Sequence, residues 1–327
     1  MRILISGGTG SLGHALVRHY LTSSKDTQIV VLSRDELKQS VMRETFPDAR
    51  LDFFLGDVRD LQRLELAFRA GIDTVIHAAA LKRVDSVCHD PDEVLKTNIE
   101  GSRNVLHAAR GRVKRVLLVS SDKACHPANA YGVSKAMAEH LTTSFNVYGY
   151  PAGTMSSVIR YGNVLGSRGS VVHTWREQYR KGLPLTLTHP DMTRFVITMP
   201  QAVAAIEWAL GRMEGGEVYV PRLPAALMLD LACAIAGTDE YPATLSGLRP
   251  GGEKMYETLI TVEELGRASR GVTEDYFTLR PYLHPWRAAW PHAGMIREQA
   301  EYRSDTTRLL TVDQLTGLLN VVPTEGV

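Results

Sequence analysis

Cysteine is scarce in this 327-residue chain, which has three: Cys88, Cys125 and Cys233. They lie far apart and form no CxxC or Cys/His pair, which excludes a disulfide framework and a thiolate metal site and leaves free thiols in a reducing compartment. Excess charge is also missing, because 37 Lys and Arg stand against 36 Asp and Glu for a net charge of +1. Such a chain has no global field for gripping a phosphate backbone, so no nucleic-acid partner is expected. No uninterrupted apolar run reaches the roughly 18 residues of a membrane span, and the first apolar stretch, Ile3-Leu4-Ile5, is too short for a signal-peptide core. A soluble cytoplasmic protein with no membrane partner and no metal is the expectation. With 44% apolar and 22% charged residues, disorder and coiled coils are excluded, and the length suits two lobes around a sizeable core.

Short apolar runs recur at Ile3 to Ile5, Ile29 to Leu32, Leu51 to Leu55, Thr74 to Ile76, Val116 to Val119 and Ser157 to Ile159. Between them lie helix-spaced sets such as Leu12, Leu16, Val17 and Tyr20, or Val94, Ile99, Val105 and Leu106. Alternation of this kind predicts an α/β fold, a doubly wound parallel sheet of Rossmann type. Beyond Gly162 the sequence becomes Gly-rich and Pro-punctuated, which predicts a smaller α/β substrate-binding lobe. The expected division is 1–165 with about 194–215 for the dinucleotide-binding lobe, and 166–193 with 216–327 for the second. The helix-like Gln201 to Arg212 is expected to return to the first lobe.

Gly7-Gly8-Thr9-Gly10-Ser11-Leu12-Gly13 directly follows the first strand and opens a helix. Glycines there let the backbone approach a pyrophosphate, whose charge meets the free N–H groups of the helix N-terminus. At the end of the second strand, where an NAD-binding chain carries a carboxylate, stand Ser33 and Arg34, with Lys38 one turn later. A hydroxyl and two cations suit a 2′-phosphate and favour NADP, while Asp35 keeps NAD open. Asp57-Val58, after the third strand, is placed to meet an adenine, or is an ordinary strand-end turn.

Tyr131 and Lys135 are four residues apart and share a helical face. Lowering a phenol pKa by roughly 3 units needs about 4 kcal/mol of preferential stabilisation of the phenolate. One ammonium at about 5 Å supplies roughly 3 kcal/mol at an effective dielectric of 20. Tyr131 is thereby a candidate base for a hydroxyl proton leaving together with a hydride. Ser121-Asp122-Lys123 follows the fifth strand, at the sheet edge that faces a ligand crevice. An acid and an amine at that edge suit proton transfer; a solvated loop pair is the plain alternative.

The runs ILISGGTGSLG (Ile3–Gly13), SRDELKQ (Ser33–Gln39), GDVRD (Gly56–Asp60), HAAALK (His77–Lys82), Thr97-Asn98-Ile99, SDKA (Ser121–Ala124), YGVSK (Tyr131–Lys135), RYGNVLGSRGSV (Arg160–Val171), MTRFVIT (Met192–Thr198) and RPGGEKMYE (Arg249–Glu257) resemble, in order, the soluble inverting UDP-N-acetylglucosamine 4,6-dehydratases. These are extended short-chain dehydrogenase/reductases, and the likeness extends to about residue 260. It implies a hydro-lyase that holds NADP through Gly7, Thr9, Gly10, Ser11, Leu12, Gly13, Ser33, Arg34, Lys38, Asp57, Val58, Ala78, Ala79, Ala80, Tyr131 and Lys135. It implies further that Tyr131 deprotonates the sugar C4 hydroxyl, Lys123 removes the C5 proton and Asp122 protonates the departing C6 hydroxyl. Hydride return to C6 with reprotonation on the other face of C5 would give UDP-2-acetamido-2,6-dideoxy-β-L-arabino-hexos-4-ulose. Lys82, Asn98, Ser121, Asn163, Val164, Arg194, Arg249 and Glu253 would line the UDP-sugar site, the arginines meeting the diphosphate. A homo-oligomer is implied by the same likeness.

For Lys123 to serve as a base, burial or neighbouring cations must lower its pKa. The rival readings are a UDP-sugar 4-epimerase, which usually lacks the Asp-Lys pair, a C5-retaining dehydratase, and an NADP-sensing protein of the same fold, against which Tyr131 and Lys135 argue. The chain departs from the family pattern in three places. Ser121 replaces the usual Thr, an extra glycine sits within Arg249–Glu253, and His189-Pro190-Asp191 is unusual. His77 and the tryptophans Trp175, Trp208, Trp286 and Trp290 are expected to pack rather than to catalyse or stack on substrate.

Overall fold

A computed structural model describes residues 1–83, 89–238, 243–270, 275–281, 285 and 300–323. Cys88, Trp286 and Trp290 lie outside the described residues. The apolar runs form β1 (Arg2–Ser6), β2 (Gln28–Ser33), β3 (Leu51–Leu55), β4 (Thr74–His77), β5 (Arg115–Ser121) and β6 (Met155–Tyr161). Between them run α1 (Ser11–Ser23), α2 (Glu36–Thr45), α3 (Leu61–Phe68), α4 (Gly101–Ala109) and α5 (Ala130–Ser144). A helical turn, Pro91–Val94, and a π-helical stretch, Leu95–Glu100, lead into α4. The wider π turn points Thr97 and Asn98 inward and leaves Ile99 half-buried, so regular helical spacing through Ile99 misreads this segment.

The second half contributes β7 (Asn163–Val164), α6 (Val171–Arg180), β8 (Thr186–Leu187), β9 (Thr193–Ile197), α7 (Met199–Leu210), β10 (Val218–Pro221), β11 (Ala225–Leu227) and α8 (Met228–Ala236). It closes with β12 (Thr244–Leu245), β13 (Thr258–Ile260), β14 (Ala268–Arg270), β15 (Tyr276–Leu279), β16 (Tyr302–Arg303) and α9 (Val312–Asn320). The large sheet has the order β3-β2-β1-β4-β5-β6-β10-β15-β14. From β3 to β10 every pairing is parallel; β15 and β14 are then added antiparallel. Order reverses between β1 and β4, the switch point where doubly wound sheets open a ligand crevice.

Both faces of the sheet are covered, which is why its strands read as continuous apolar runs. Ile3 and Ile5 pack with Leu16, Val17 and Tyr20 of α1 and Ile206 of α7. Leu4 faces the other way, onto Leu64 and Phe68 of α3 and Val105 of α4. The smaller lobe has its own core, with Trp175, Met192, Leu231 and Leu315. The expected return of the helix near 201–212 to the first lobe occurs as α7, which packs on α1, Tyr20 donating to Glu207. The stretch 216–327 is divided differently from the sequence reading. β10, β14 and β15 extend the large sheet, and Tyr219 and Phe277 bury themselves in its core. Their runs are only three or four residues long and lie amid Gly- and Pro-rich sequence, which hid their partners. No helix among the described residues is long and apolar enough to cross a membrane.

Arg160 of β6 ties the lobes together. It is 3% exposed and bonds Glu139 of α5 and Glu264 of the second lobe, with further hydrogen bonds to the Leu259 carbonyl and Cys125 Sγ. Replacing Arg160 by Met removes the ion-pair partner of buried Glu139 and one of the two that hold Glu264, which keeps Arg267. A loss of about 3–5 kcal/mol is expected in urea unfolding, and an unchanged midpoint would show that the network contributes no stability.

Candidate active site

The dinucleotide cradle begins at the β1–α1 turn. Gly7 has φ +69°, and a Cβ there would lie 2.8 Å from Ala79 Cα. At Gly13 a Cβ would lie 2.0 Å from the Gly8 carbonyl oxygen, so glycine is what lets α1 seat on the turn. The helix opens at Ser11 behind Gly10 with no side-chain cap and no acidic residue in its first turn. Its first N–H groups are donors suited to an anion. Ala78 and Ala79 close the other wall, their amides donating to Ser6. His77 bridges Ser6 Oγ (2.6 Å) and Ser102 Oγ (3.0 Å), and burial, reinforced by Lys135, lowers its pKa to about 3. It is a neutral packing residue, as the sequence reading expected.

Ser33 is buried at the end of β2, with Oγ accepting from Gln39 Nε2 at 3.1 Å. Asp35 caps α2 by accepting from the Lys38 amide and pairs with Lys38 Nζ at 2.7 Å; these contacts lower its pKa. Asp35, the carboxylate nearest in sequence to this strand end, is thus committed to its own helix. Arg34 is exposed and lies 3.7 Å from Asp57. Burial works to raise the Asp57 pKa, but hydrogen bonds and charge from Arg59, with Arg34 behind, hold it low. Val58 is buried against Gly101. A glycine turn without room for side chains, an uncapped helix N-terminus and a hydroxyl with cations at β2 fit a nicotinamide dinucleotide.

The second group of residues gathers at the ends of β5 and β6. Ser121 pairs with Tyr161 in parallel register, which sets Asp122 and Lys123 level with Asn163. Asp122 is fully buried; Oδ1 accepts from Ser121 Oγ and Lys123 Nζ, each at 2.8 Å, and Oδ2 has no partner among the described residues. Burial raises its pKa, Glu257 adds to that, and Lys123 and Ser121 oppose it. Lys123 lies in front of it, 2.9 Å from Asn163 Oδ1, 3.4 Å from Glu257 Oε1 and open to a cleft also lined by Arg194, Arg249 and Glu253.

The condition set for Lys123 as a base, a lowered pKa, is not met in the resting site. Burial does disfavour its charge, but Asp122 and Glu257 outweigh burial and raise the pKa. Tyr131 is buried, and burial raises its pKa against the charge of Lys123, the principal cation acting on it, and a hydrogen bond with Ser121. Lys135 is the expected cation, yet its Nζ donates to the Val119 carbonyl at 2.6 Å, and burial lowers its pKa to about 8. The one-turn spacing therefore brings phenol and amine to one face of α5, but in this chain the amine holds β5.

Asn98 is buried, and its amide is occupied by Leu81 N, Leu81 O and Ser134 Oγ, so it staples the segment leading to Lys82. Lys82 is exposed at the crevice, and desolvation together with Arg168 lowers its pKa. Ala80 is half-buried in the same segment, and Val164 pairs with Ile197 of β9. Arg194 is buried, donating to the Thr193 and Met255 carbonyls with Nη2 3.6 Å from Glu253. Exposed Arg249 grips both Glu253 oxygens from within its own loop. The extra glycine is accommodated here. Gly252 has φ +95°, a Cβ on it would lie 2.2 Å from the Ala128 oxygen, and its carbonyl accepts from Asn129, the cap of α5. The unusual His189-Pro190-Asp191 is a small turn, with Asp191 N donating to His189 Nδ1.

Sequence reasoning missed three residues. Glu257 and Lys254 pair at 2.7 Å beneath the cleft. Arg168, in the loop before α6, reaches the cradle by donating to Ser11 Oγ and Thr9 O. All three lie inside family-like motifs, yet motif matching assigns no contact between lobes.

The family model for polysaccharide biosynthesis proteins matches residues 3–280. A curated inverting UDP-N-acetylglucosamine 4,6-dehydratase of Campylobacter jejuni is 40% identical, covering 86% of this chain and 83% of the relative. A UDP-glucose 4-epimerase of Rickettsia prowazekii is 38% identical, covering 81% and 79%. The crystal structure of Pen from Bacillus thuringiensis superposes with a TM-score of 0.88 at 33% identity, covering 98% of this chain and 96% of that one. With its cradle, switch-point crevice and Asp-Lys pair at the β5 edge, the chain belongs to the polysaccharide biosynthesis protein family, within the extended short-chain dehydrogenase/reductases, enzymes that include the sugar-nucleotide 4,6-dehydratases.

Proposed function

We propose that this chain is an NADP-dependent UDP-N-acetylglucosamine 4,6-dehydratase that inverts C5, working in the cytoplasm as a homo-oligomer. One observation carries the reading: a sealed carboxyl, Asp122, that burial biases toward keeping a proton, hydrogen-bonded at 2.8 Å to the Lys123 amine beside Tyr131. Water elimination needs an acid and a base together, and this pair supplies both. A 4-epimerase needs the tyrosine but has no use for the pair. The epimerase relatives keep that second reading open to test.

The bound nicotinamide would accept hydride from sugar C4, return it at C6, and carry a positive charge near the phenol. Tyr131 takes the C4 hydroxyl proton, and its raised resting pKa makes that added charge necessary. The new ketone acidifies the C5 proton. Transfer of one proton from Lys123 Nζ to Asp122 Oδ1 along their hydrogen bond leaves a neutral amine and a carboxylic acid. Lys123 then removes the C5 proton, the C5 electron pair expels the C6 hydroxyl, and Asp122 protonates it as water. Reprotonation of C5 on the opposite face from solvent completes the inversion. Arg194 and Arg249 meet the diphosphate, for which Arg249 must release Glu253. Asp35 committed to α2, with Arg34 exposed beside Ser33, supports NADP over NAD.

Purified protein given UDP-N-acetylglucosamine in D2O without added cofactor should yield, by NMR, a 6-deoxy-4-keto product of L-arabino configuration with deuterium at C5. UDP-N-acetylgalactosamine as sole product would overturn the reading. Lys123→Ala should abolish water loss while the dinucleotide stays bound; normal turnover would remove the base assignment. Arg34→Ala with Lys38→Ala should weaken NADP by about tenfold or more while leaving NAD affinity near its starting value. Equal loss for both cofactors, measured by titration calorimetry, would count against the 2′-phosphate contact.

A further inference from the structure

Glu257 immediately precedes β13 and is 3% exposed. Its backbone is clamped on both sides by Ser304: Glu257 N donates to Ser304 Oγ at 3.0 Å, and Ser304 N donates to Glu257 O at 2.9 Å. The carboxylate is therefore placed by a segment remote in sequence from the Asp-Lys motif. Oε1 lies 3.4 Å from Lys123 Nζ and 4.0 Å from Arg194 Nε, and Oε2 lies 2.7 Å from Lys254 Nζ. Lys254 also donates to the Cys125 carbonyl, on the same segment as Lys123. A buried carboxylate among three cations satisfies the charge of a pocket that would otherwise be strongly positive.

We infer that Glu257 is a positioning residue for Lys123, a second carboxylate beside Asp122 that fixes the protonation state and the direction in which the amine faces the cleft. The inference rests on the reading of Lys123 as the C5 base. Lys123 Nζ is held by hydrogen bonds to Asp122 Oδ1 and Asn163 Oδ1 and by an ion pair with Glu257 Oε1, from three separate segments. The charged and titratable groups around it are Asp122, Glu257, Arg194 and Tyr131, with Lys254 and Glu253 behind them. Proton transfer within the Asp122–Lys123 pair conserves its charge, so the pair works only while it keeps the one proton that the two groups share. The negative charge of Glu257 retains that proton, since it raises the proton affinity of both partners. Removing the charge lets the pair lose its proton at lower pH.

The test uses Glu257→Gln, which keeps shape and loses charge, and Glu257→Asp, which keeps charge. Acetic anhydride labelling of Lys123 in the purified full-length protein, read by mass spectrometry from neutral to alkaline pH, reports the amine directly. In the Gln variant the labelling midpoint should fall by about 1 to 3 pH units, and the alkaline limb of kcat should fall with it. The Asp variant should return both toward wild type. An unchanged midpoint in Glu257→Gln, or a rate loss uniform across pH, would overturn the inference and leave Glu257 a packing residue. If the midpoint moves but wild-type protein never eliminates water from UDP-N-acetylglucosamine, the dehydratase reading falls and the Glu257–Lys123 coupling stands.

Discussion

The parallel pairing of β5 with β6 is the constraint on which the rest depends. Seven residues of each strand are in register, from Arg115 with Met155 to Ser121 with Tyr161. Parallel strands end level with each other, so the segments leaving them meet across the carboxyl edge of the sheet. Asp122-Lys123 leaves β5 and Asn163 leaves β6, and the 2.9 Å contact between Lys123 and Asn163 is the result. A one-residue slip would turn the strand over, sending Asp122 from its sealed position to the opposite face. Burial of both sheet faces forbids that slip, because Leu117, Leu118, Val158 and Ile159 are all within cores.

Charge at this edge depends on where the second lobe closes on it. The Asp122–Lys123 pair by itself sets one ammonium against one fully buried carboxylate. The second lobe adds Arg194, Lys254, Glu253 and Glu257 within a few ångströms, a nearly balanced set. The near-zero net charge of the whole chain is thus repeated locally as paired opposites. Arg194, Arg249 and Lys254 each lie against a carboxylate.

Much of this was legible in the residues themselves. Strands β1 to β6 declared themselves as apolar runs because both faces of a parallel sheet are buried. Gly7 and Gly13 were legible because their backbone geometry admits nothing else, and Asp122-Lys123 because it directly follows a strand. What escaped reading depends on contacts between distant segments. Lys135 lies at the expected one-turn spacing from Tyr131, yet its bond to Val119 is decided by the packing of α5 on β5. The sign of the Lys123 shift was not legible because its second carboxylate, Glu257, comes from 134 positions later in the chain. The π turn at Leu95–Glu100 broke the helical period with no proline or glycine inside it.

Arg194 and Arg249 both face Glu253, but they are not equivalent. Arg249 is more than half exposed, and an exposed pair contributes only about 0–1 kcal/mol. A diphosphate, with its greater charge and paired oxygens, can displace that contact at small cost. Arg194 is buried and bonded to two backbone carbonyls, so its position is set before any ligand arrives and little ordering entropy is lost on binding. If the proposed UDP-sugar binds here, Arg194 is the fixed anchor and Arg249 the arm that changes partner.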